Sequence, residues 1–407
     1  MRSVALGFFI DAGSAFESED EGGYSHLLEH LLFRGTDSYE SEEIDQLFDS
    51  MGAELNAGTS KESTSVFTRV LDDHVDEAFP VLAEMVWQPR VDDRSVEQER
   101  EIVLEELSMY EDDPQEQVFD LAAEALFAGG PLGRPVIGTR HSVSTADPAV
   151  LRDFHRRHYR QGRIVVAGAG AIQHDALVAH VQRAIEAAGE EGGPLPDRKR
   201  LSVGEAVCTS GVSVLEKPTE QTHLVITGEG LPLSDERRFA LRVLDCIVGG
   251  TSSSRLFQEV REKRALAYSV FSFTSFLDHT GQVGVYVGTR PDNLAVTCQV
   301  IGDELAELRD GGVTGAELDR ARENVKGRTV LAMESTSARM NRLGGALLAG
   351  LPLLSLDDVV ERLDAVTTDE LLDLARTTFA APQLAAAAVG PEGEAIRAAA
   401  APILERT

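Results

Sequence analysis

The stretch "GGYSHLLEHLLFRGT", residues 22–36, places His26 and His30 four apart with Glu29 just before the second. On a helix, positions i, i+3 and i+4 share one face, so His26, Glu29 and His30 project together. Leu27, Leu28, Leu31 and Leu32 are then free to pack into a core. Two imidazoles at i and i+4 can bind one zinc ion at about 2.0–2.1 Å each. A carboxylate beside them is suited to take a proton from water at such a site. The competing reading is two ordinary histidines on an ordinary helix, and the motif alone does not separate the two.

Working outward, the sequence alternates strand and helix patterns. "VALGFFI" (4–10) reads as a strand, and 23–33 and 41–51 as helices, with Ser41 as N-cap and Gly52 as stop. "AELNAGTS" and "STSVFTRVL" read as adjacent strands around the turn-like Lys61-Glu62. Helical patterns follow at 75–87, 93–111 and 115–126, then a strand at 162–170. Residues 188–200, "AGEEGGPLPDRKR", read as a linker: Gly- and Pro-rich, changing charge sign, without periodicity. A second cycle follows. "THLVITGEG" is a strand, 234–250 and 253–263 are helices, "ALAYSVFSFTS" and "GQVGVYVGT" are paired strands, helices fill most of 291–378, and "LAAAAVG" is a closing strand. The expected fold is therefore α/β (α+β) in two similar domains, 1–190 and 201–407, each a β-sheet covered by helices.

Composition narrows the function. The 407 residues carry 68 acidic against 38 basic side chains, a net charge of −30. Such a chain repels phosphates, which excludes nucleic acid as a partner and favours cationic peptides if the charge lines a cavity. Diffuse surface acidity for solubility is the plainer explanation of the same number. No apolar run reaches the length of a membrane span. Cys208, Cys246 and Cys298 are far apart and form no CxxC pair, as expected of reduced thiols in a cytoplasmic protein.

The flanking segments give the first motif its context. "GGYSHLLEHLLFRGT", "GAELNAGTSKESTSVFTRVL" and "QEREIVLEEL" together resemble the pitrilysin-like zinc metallopeptidases, whose H-x-x-E-H order is the inverted zincin motif. The branch most similar is that of the mitochondrial processing peptidase and its bacterial relatives. The resemblance implies zinc held by His26, His30 and Glu106, with Glu29 as general base. Glu99, two helical turns before Glu106 on the same face, is then a supporting carboxylate. Glu101 and Glu105 are the neighbouring decoys.

The same resemblance assigns substrate contacts. "LNAGTS" matches an edge strand along which an extended peptide adds, through Asn56 and Ala57; Gly58 stands where the family usually has an aromatic. "GGTSSSRLFQEVREKRALAYSVFSF" implies that Arg261 and Tyr268 reach the substrate and the reacting carbonyl. Glu116 and Asp120, at i and i+4, match carboxylates that recognise a basic residue near the cleavage site. "VIGT" at 136–139 and "ELDRARENVKGRTVLAMESTSARMNRLG" extend the match along nearly the whole chain. Family members carry an earlier first strand, whereas this sequence opens at "RSVALG", so the first sheet is expected to be one strand short or the start misplaced.

The expectation is a zinc-dependent endopeptidase acting on extended peptides, working as a homodimer or as a heterodimer with a related subunit. Two rivals stand beside it. One is a non-catalytic structural or partner subunit of the same family. The other is a peptidase dedicated to one small precursor peptide.

Overall fold

The computed structural model describes residues 2–160, 162–189, 208–380 and 383–405. The chain forms two compact units. The first takes the segments Met1–Ser108, Pro135–Val203 and Leu331–Leu353, as far as they are described; the second takes Met109–Arg134, Gly204–Val330 and Leu354–Thr407. The expected linker, from residue 190 onward, lies outside the described residues. The units differ from a single cut at that linker: 109–134 packs with the second unit and 331–353 with the first.

The first unit contains β1 (Ser3–Ile10), α1 (Tyr24–Leu31), α2 (Ser41–Ser50), β2 (Glu54–Thr59), β3 (Thr64–Leu71), α3 (Val75–Trp87) and most of α4 (Asp93–Asp112). It continues through α6 (Arg140–Ser144), α7 (Pro148–His158), β4 (Ile164–Gly170), α8 (His174–Ala187) and α12 (Thr336–Leu348). Its antiparallel sheet has the order β2-β3-β1-β4. Successive strand residues point to opposite faces, and β1 is apolar on both. Val4, Leu6, Phe8 and Ile10 join the large core formed with α1, α3 and α7. Ala5 and Phe9 face the other way and pack with Val165, Ala167, Ala169 and Met340 of α12. A Cβ at Gly344 would sit 2.1 Å from the Phe9 ring, so only glycine lets α12 lie this close to the sheet.

The second unit contains α5 (Pro114–Leu126), β5 (Gly211–Glu216), β6 (Thr222–Glu229), α9 (Arg238–Val248), β7 (Ala267–Phe276) and β8 (Gly281–Thr289). Then come α10 (Leu294–Gly311), α11 (Gly315–Ala332), α13 (Leu356–Ala365), α14 (Thr368–Thr378), β9 (Leu384–Gly390) and α15 (Gly393–Glu405). Its sheet runs β5-β9-β6-β8-β7, with β5 parallel to β9 and the other pairs antiparallel. One face meets the core of α9, α10, α14 and α15. The other is covered by α5, where Val118 and Ala122 pack on Val225, Ala387 and Val389, and Phe119 stacks 5.5 Å from Tyr286.

Two local expectations need correction. Ser41 is not the N-cap of α2: Glu40 is, in a capping box with Glu43, and the Ser41 hydroxyl instead donates to the Phe33 carbonyl at 2.7 Å. The helix read over 253–263 winds as a π-helix over Phe257–Glu262. Among the described residues no helix is long and apolar enough to cross a membrane.

Candidate metal centre

The start of α1 is built from its glycines. Gly23 sits at φ +89°, and a Cβ there would meet the Ile137 carbonyl at 2.6 Å, so the "VIGT" loop packs directly on the helix entrance. The Glu17 carboxylate accepts from the backbone N–H of Gly23 and Ser25 at 2.8 and 2.7 Å, satisfying donors the first turn leaves free. Leu27, Leu28 and Leu31 are fully buried. That anchorage turns His26, Glu29 and His30 to the opposite, partly open face.

Glu106 of α4 faces them. One of its oxygens lies 3.8 Å from His26 Nε2 and 3.7 Å from His30 Nε2. Those gaps are too long for hydrogen bonds. They are close to the separation of about 3.4 Å between two ligands held tetrahedrally by one ion at roughly 2.1 Å. Among the described residues, these three form the one group of His, Cys, Asp or Glu donors close enough together to hold a metal ion, within 4.8 Å of one another. Two imidazoles, a carboxylate and an open fourth side are the donor set of a hydrolytic zinc site.

The surrounding groups fix this arrangement. Glu99, 2% exposed, bonds His30 Nδ1 at 2.9 Å, which leaves Nε2 free to ligate. Its other oxygen is held by Arg34. Burial disfavours the Glu99 charge, but the bonds from His30 and Arg34 outweigh it and keep the carboxyl below its ordinary range. For His30, burial opposes the proton while Glu99 draws it, and the balance lies upward. His26 has no such partner: its Nδ1 is buried without a hydrogen bond, and burial followed by the neighbouring His30 pushes it down to about 4. Glu29 is pushed up, chiefly by burial, although its Oε2 accepts from the Thr59 hydroxyl at 2.5 Å. Glu101 and Glu105, the sequence decoys, are exposed.

Asn56 and Ala57 lie on β2, the outer strand of its sheet, and among the described residues no strand pairs with its other edge. In the second unit, Arg261 and Tyr268 come together: the guanidinium sits 4.5 Å from the ring centroid and Nη1 donates to the Tyr268 carbonyl at 3.0 Å. The register slips between Ala267 and Ser269, and this bulge turns Tyr268 outward to 77% exposure. Glu116 and Asp120 lie on α5 of the second unit, Glu116 exposed and Asp120 half-buried. Sequence reasoning missed Thr59 and Arg34. Arg34 had a signal in its place four residues beyond His30; Thr59 lies inside the matched "LNAGTS", but its role depends on how β2 meets α1.

Residues 1–140 match the family model described as "Insulinase (Peptidase family M16)", and residues 145–325 match "Peptidase M16 inactive domain". An uncharacterised zinc protease of Streptomyces coelicolor is 39% identical over 378 residues, 92% of this chain and 82% of that one. Another, of Bacillus subtilis, is 36% identical over 97% of this chain and 94% of its own. The fold is shared with a solved peptidase M16 inactive domain from Pseudomonas fluorescens, at a TM-score of 0.87 and 24% identity, covering 96% and 94% of the two chains. A protease from Helicobacter pylori gives 0.86 at 20% identity, with the same coverage. The chain thus belongs to peptidase family M16, the pitrilysin-like metallopeptidases.

Proposed function

We propose that this chain is a zinc-dependent endopeptidase that hydrolyses extended peptides, with Glu29 as general base. The observation that carries the reading is the convergence of His26, His30 and Glu106 on one point beside the Glu29 carboxylate. Zinc held by these three residues would supply Lewis-acid activation of water and of the scissile carbonyl. Glu29 takes the proton of the attacking water and returns it to the leaving amine. The upward push that burial gives its carboxyl suits that exchange. Glu99, itself held by Arg34, fixes the His30 ring so that Nε2 faces Glu106. The open edge of β2 at Asn56 and Ala57 seats the substrate as an added strand, which selects extended over folded chains. Arg261 and Tyr268 donate to the peptide and its developing oxyanion. Glu116 and Asp120 favour a basic residue near the cleaved bond.

The family resemblance supports a dimer, with itself or with a related subunit. Unpaired cysteines support a cytoplasmic setting. The non-catalytic reading draws on the word "inactive" in the family description of 145–325, but every metal donor lies outside that segment. The test is metal analysis with a peptide-library digest on wild type and Glu29→Gln. Zinc in both with cleavage by the wild type alone is the expected result. No zinc in wild type, or equal cleavage by the variant, would sink the reading.

A further inference from the structure

Thr59 closes β2, two residues beyond Ala57, on the half-buried side of that strand. Three oxygens lie within reach of its hydroxyl: Glu29 Oε2 at 2.5 Å, Thr64 Oγ1 at 3.4 Å and the Ser25 carbonyl at 3.5 Å. A hydroxyl has one proton to give, and the distances assign it to Glu29. Thr64 is committed elsewhere, its own hydroxyl donating to the Ala12 carbonyl at 3.0 Å.

Glu29 needs such a hold. It projects from the same helical face as two metal donors, so a carboxylate free to rotate could turn toward the metal instead of toward the water. With one oxygen held by Thr59, the other is left to accept a proton. The strand offering its open edge to the peptide is also the strand that holds the base. Ala57 and Thr59, two apart, share one side of it.

We propose that Thr59 is a positioning residue: its hydroxyl fixes the Glu29 carboxylate and ties the base to the strand on which the substrate is seated. This rests on the reading of Glu29 as general base. Thr59→Val removes the hydroxyl and keeps the branched shape, while Thr59→Ser keeps the hydroxyl and loses only a methyl.

With zinc-loaded protein and a cleavable peptide, Thr59→Val should lower kcat by about 30- to 100-fold, the scale of a misplaced catalytic group. KM and zinc per chain should stay at wild-type values, and Thr59→Ser should recover kcat to within about threefold. Crystal structures of the two variants give a readout that needs no activity: Glu29 should leave its position in Thr59→Val and keep it in Thr59→Ser. Unchanged kcat in Thr59→Val would overturn the proposal, and so would equal losses in both variants, which would mark a packing role. A wild type that cleaves nothing, or an active Glu29→Gln, would defeat the general-base reading instead. The position of Glu29 in the Thr59→Val crystal would still decide the claim about Thr59.

Discussion

The two units place the same helix pair in the same topological positions and fill it with different chemistry. In the first, α1 follows the first strand and meets the long helix α4; in the second, α9 follows β6 and meets α11. The α1–α4 crevice carries His26, His30 and Glu106. The α9–α11 crevice is a cavity of about 300 Å³ lined by Cys246, Thr251, Ser253, Arg320 and Asn324, among others. Its thiol lies 3.7 Å from Asn324 Oδ1 and is pushed up, first by burial and then by Asp245. Asp245 is itself raised by burial, against the bond from Ser272 at 2.6 Å and the pull of Arg328. Glu317 and Glu323 line it too, but Glu317 is held by Arg255 and Glu323 by Lys326, and among the described residues no group of donors close enough to hold a metal forms here, so with Arg320 beside them it is a poor cation site. The architecture supplies the crevice in both units, and a handful of side chains decides whether it can take a metal.

The sharpest break of this comparison is metal content. His26→Ala and Glu106→Ala should each lose zinc and with it all measurable cleavage. Glu29→Gln should keep zinc and lose activity by about 10²–10⁴-fold. Cys246→Ala should keep the zinc of wild type. Elemental analysis beside a peptide assay reads all four, and zinc lost from Cys246→Ala would show that the second crevice is a metal site after all. Next in size is Tyr268→Phe, which should lower kcat by about 10²-fold, the cost of one oxyanion donor, with zinc unchanged.

The sheets differ as well, and that difference shows what a sequence reveals. Strand order β2-β3-β1-β4 repeats as β7-β8-β6-β9, but the second sheet adds β5 beside β9. Among the described residues β4 has no strand on its outer side. The inner strands were legible because they are apolar on one or both faces: "VALGFFI", "THLVITGEG" and "LAAAAVG" all form as read. β5, "GVSVLE", passed unnoticed because it is a half-exposed edge without clean alternation. The α7 and α8 helices and the terminal α15 were passed over too. The 3.6-residue period of α5 and α12 announced two helices but not which sheet each would cover. Periodicity records a buried face, not its partner, so the exchange of 109–134 and 331–353 between units is a purely tertiary fact.

The metal donors were legible for the opposite reason. His26, Glu29 and His30 are local in sequence, and one helical turn brings them together. Glu106 and Glu99 came from the family resemblance, and the structure places both beside His30. The extrusion of Tyr268 by a bulge could not be read, because "AYSVFSF" is an ordinary strand until its register with β8 is known.

The smallest expected effects separate the units by pH. His158 of α7 is buried with neither ring nitrogen hydrogen-bonded, and it lies 4.4 Å from the Phe154 ring. Burial, then Arg163 and Arg157, push its pKa down to about 4. A histidine near 6.5 when unfolded takes up its proton earlier unfolded than folded. Its contribution is therefore intact above pH 6.5 and is lost as pH falls from 6.5 to about 4, by roughly 3 kcal/mol. In the second unit, Glu317 accepts from Arg255 at 2.7 and 3.0 Å and from Thr314. Burial disfavours its charge, but these bonds hold its pKa down at about 2. That contribution is present above the unfolded value near 4.5 and is lost only as pH falls from there toward 2. Unfolding by urea across pH should thus show His158→Leu flattening the decline between 6.5 and 4, with little effect below it. Glu317→Gln should cost about 2 kcal/mol at pH 7 and remove a decline confined to the more acid range. Hydrogen exchange should assign the first loss to amides of α7 and β4 and the second to α11. An unaltered decline between pH 6.5 and 4 in His158→Leu would mean that this histidine is solvated or paired in solution, and the contrast in acid sensitivity between the units would fall with it.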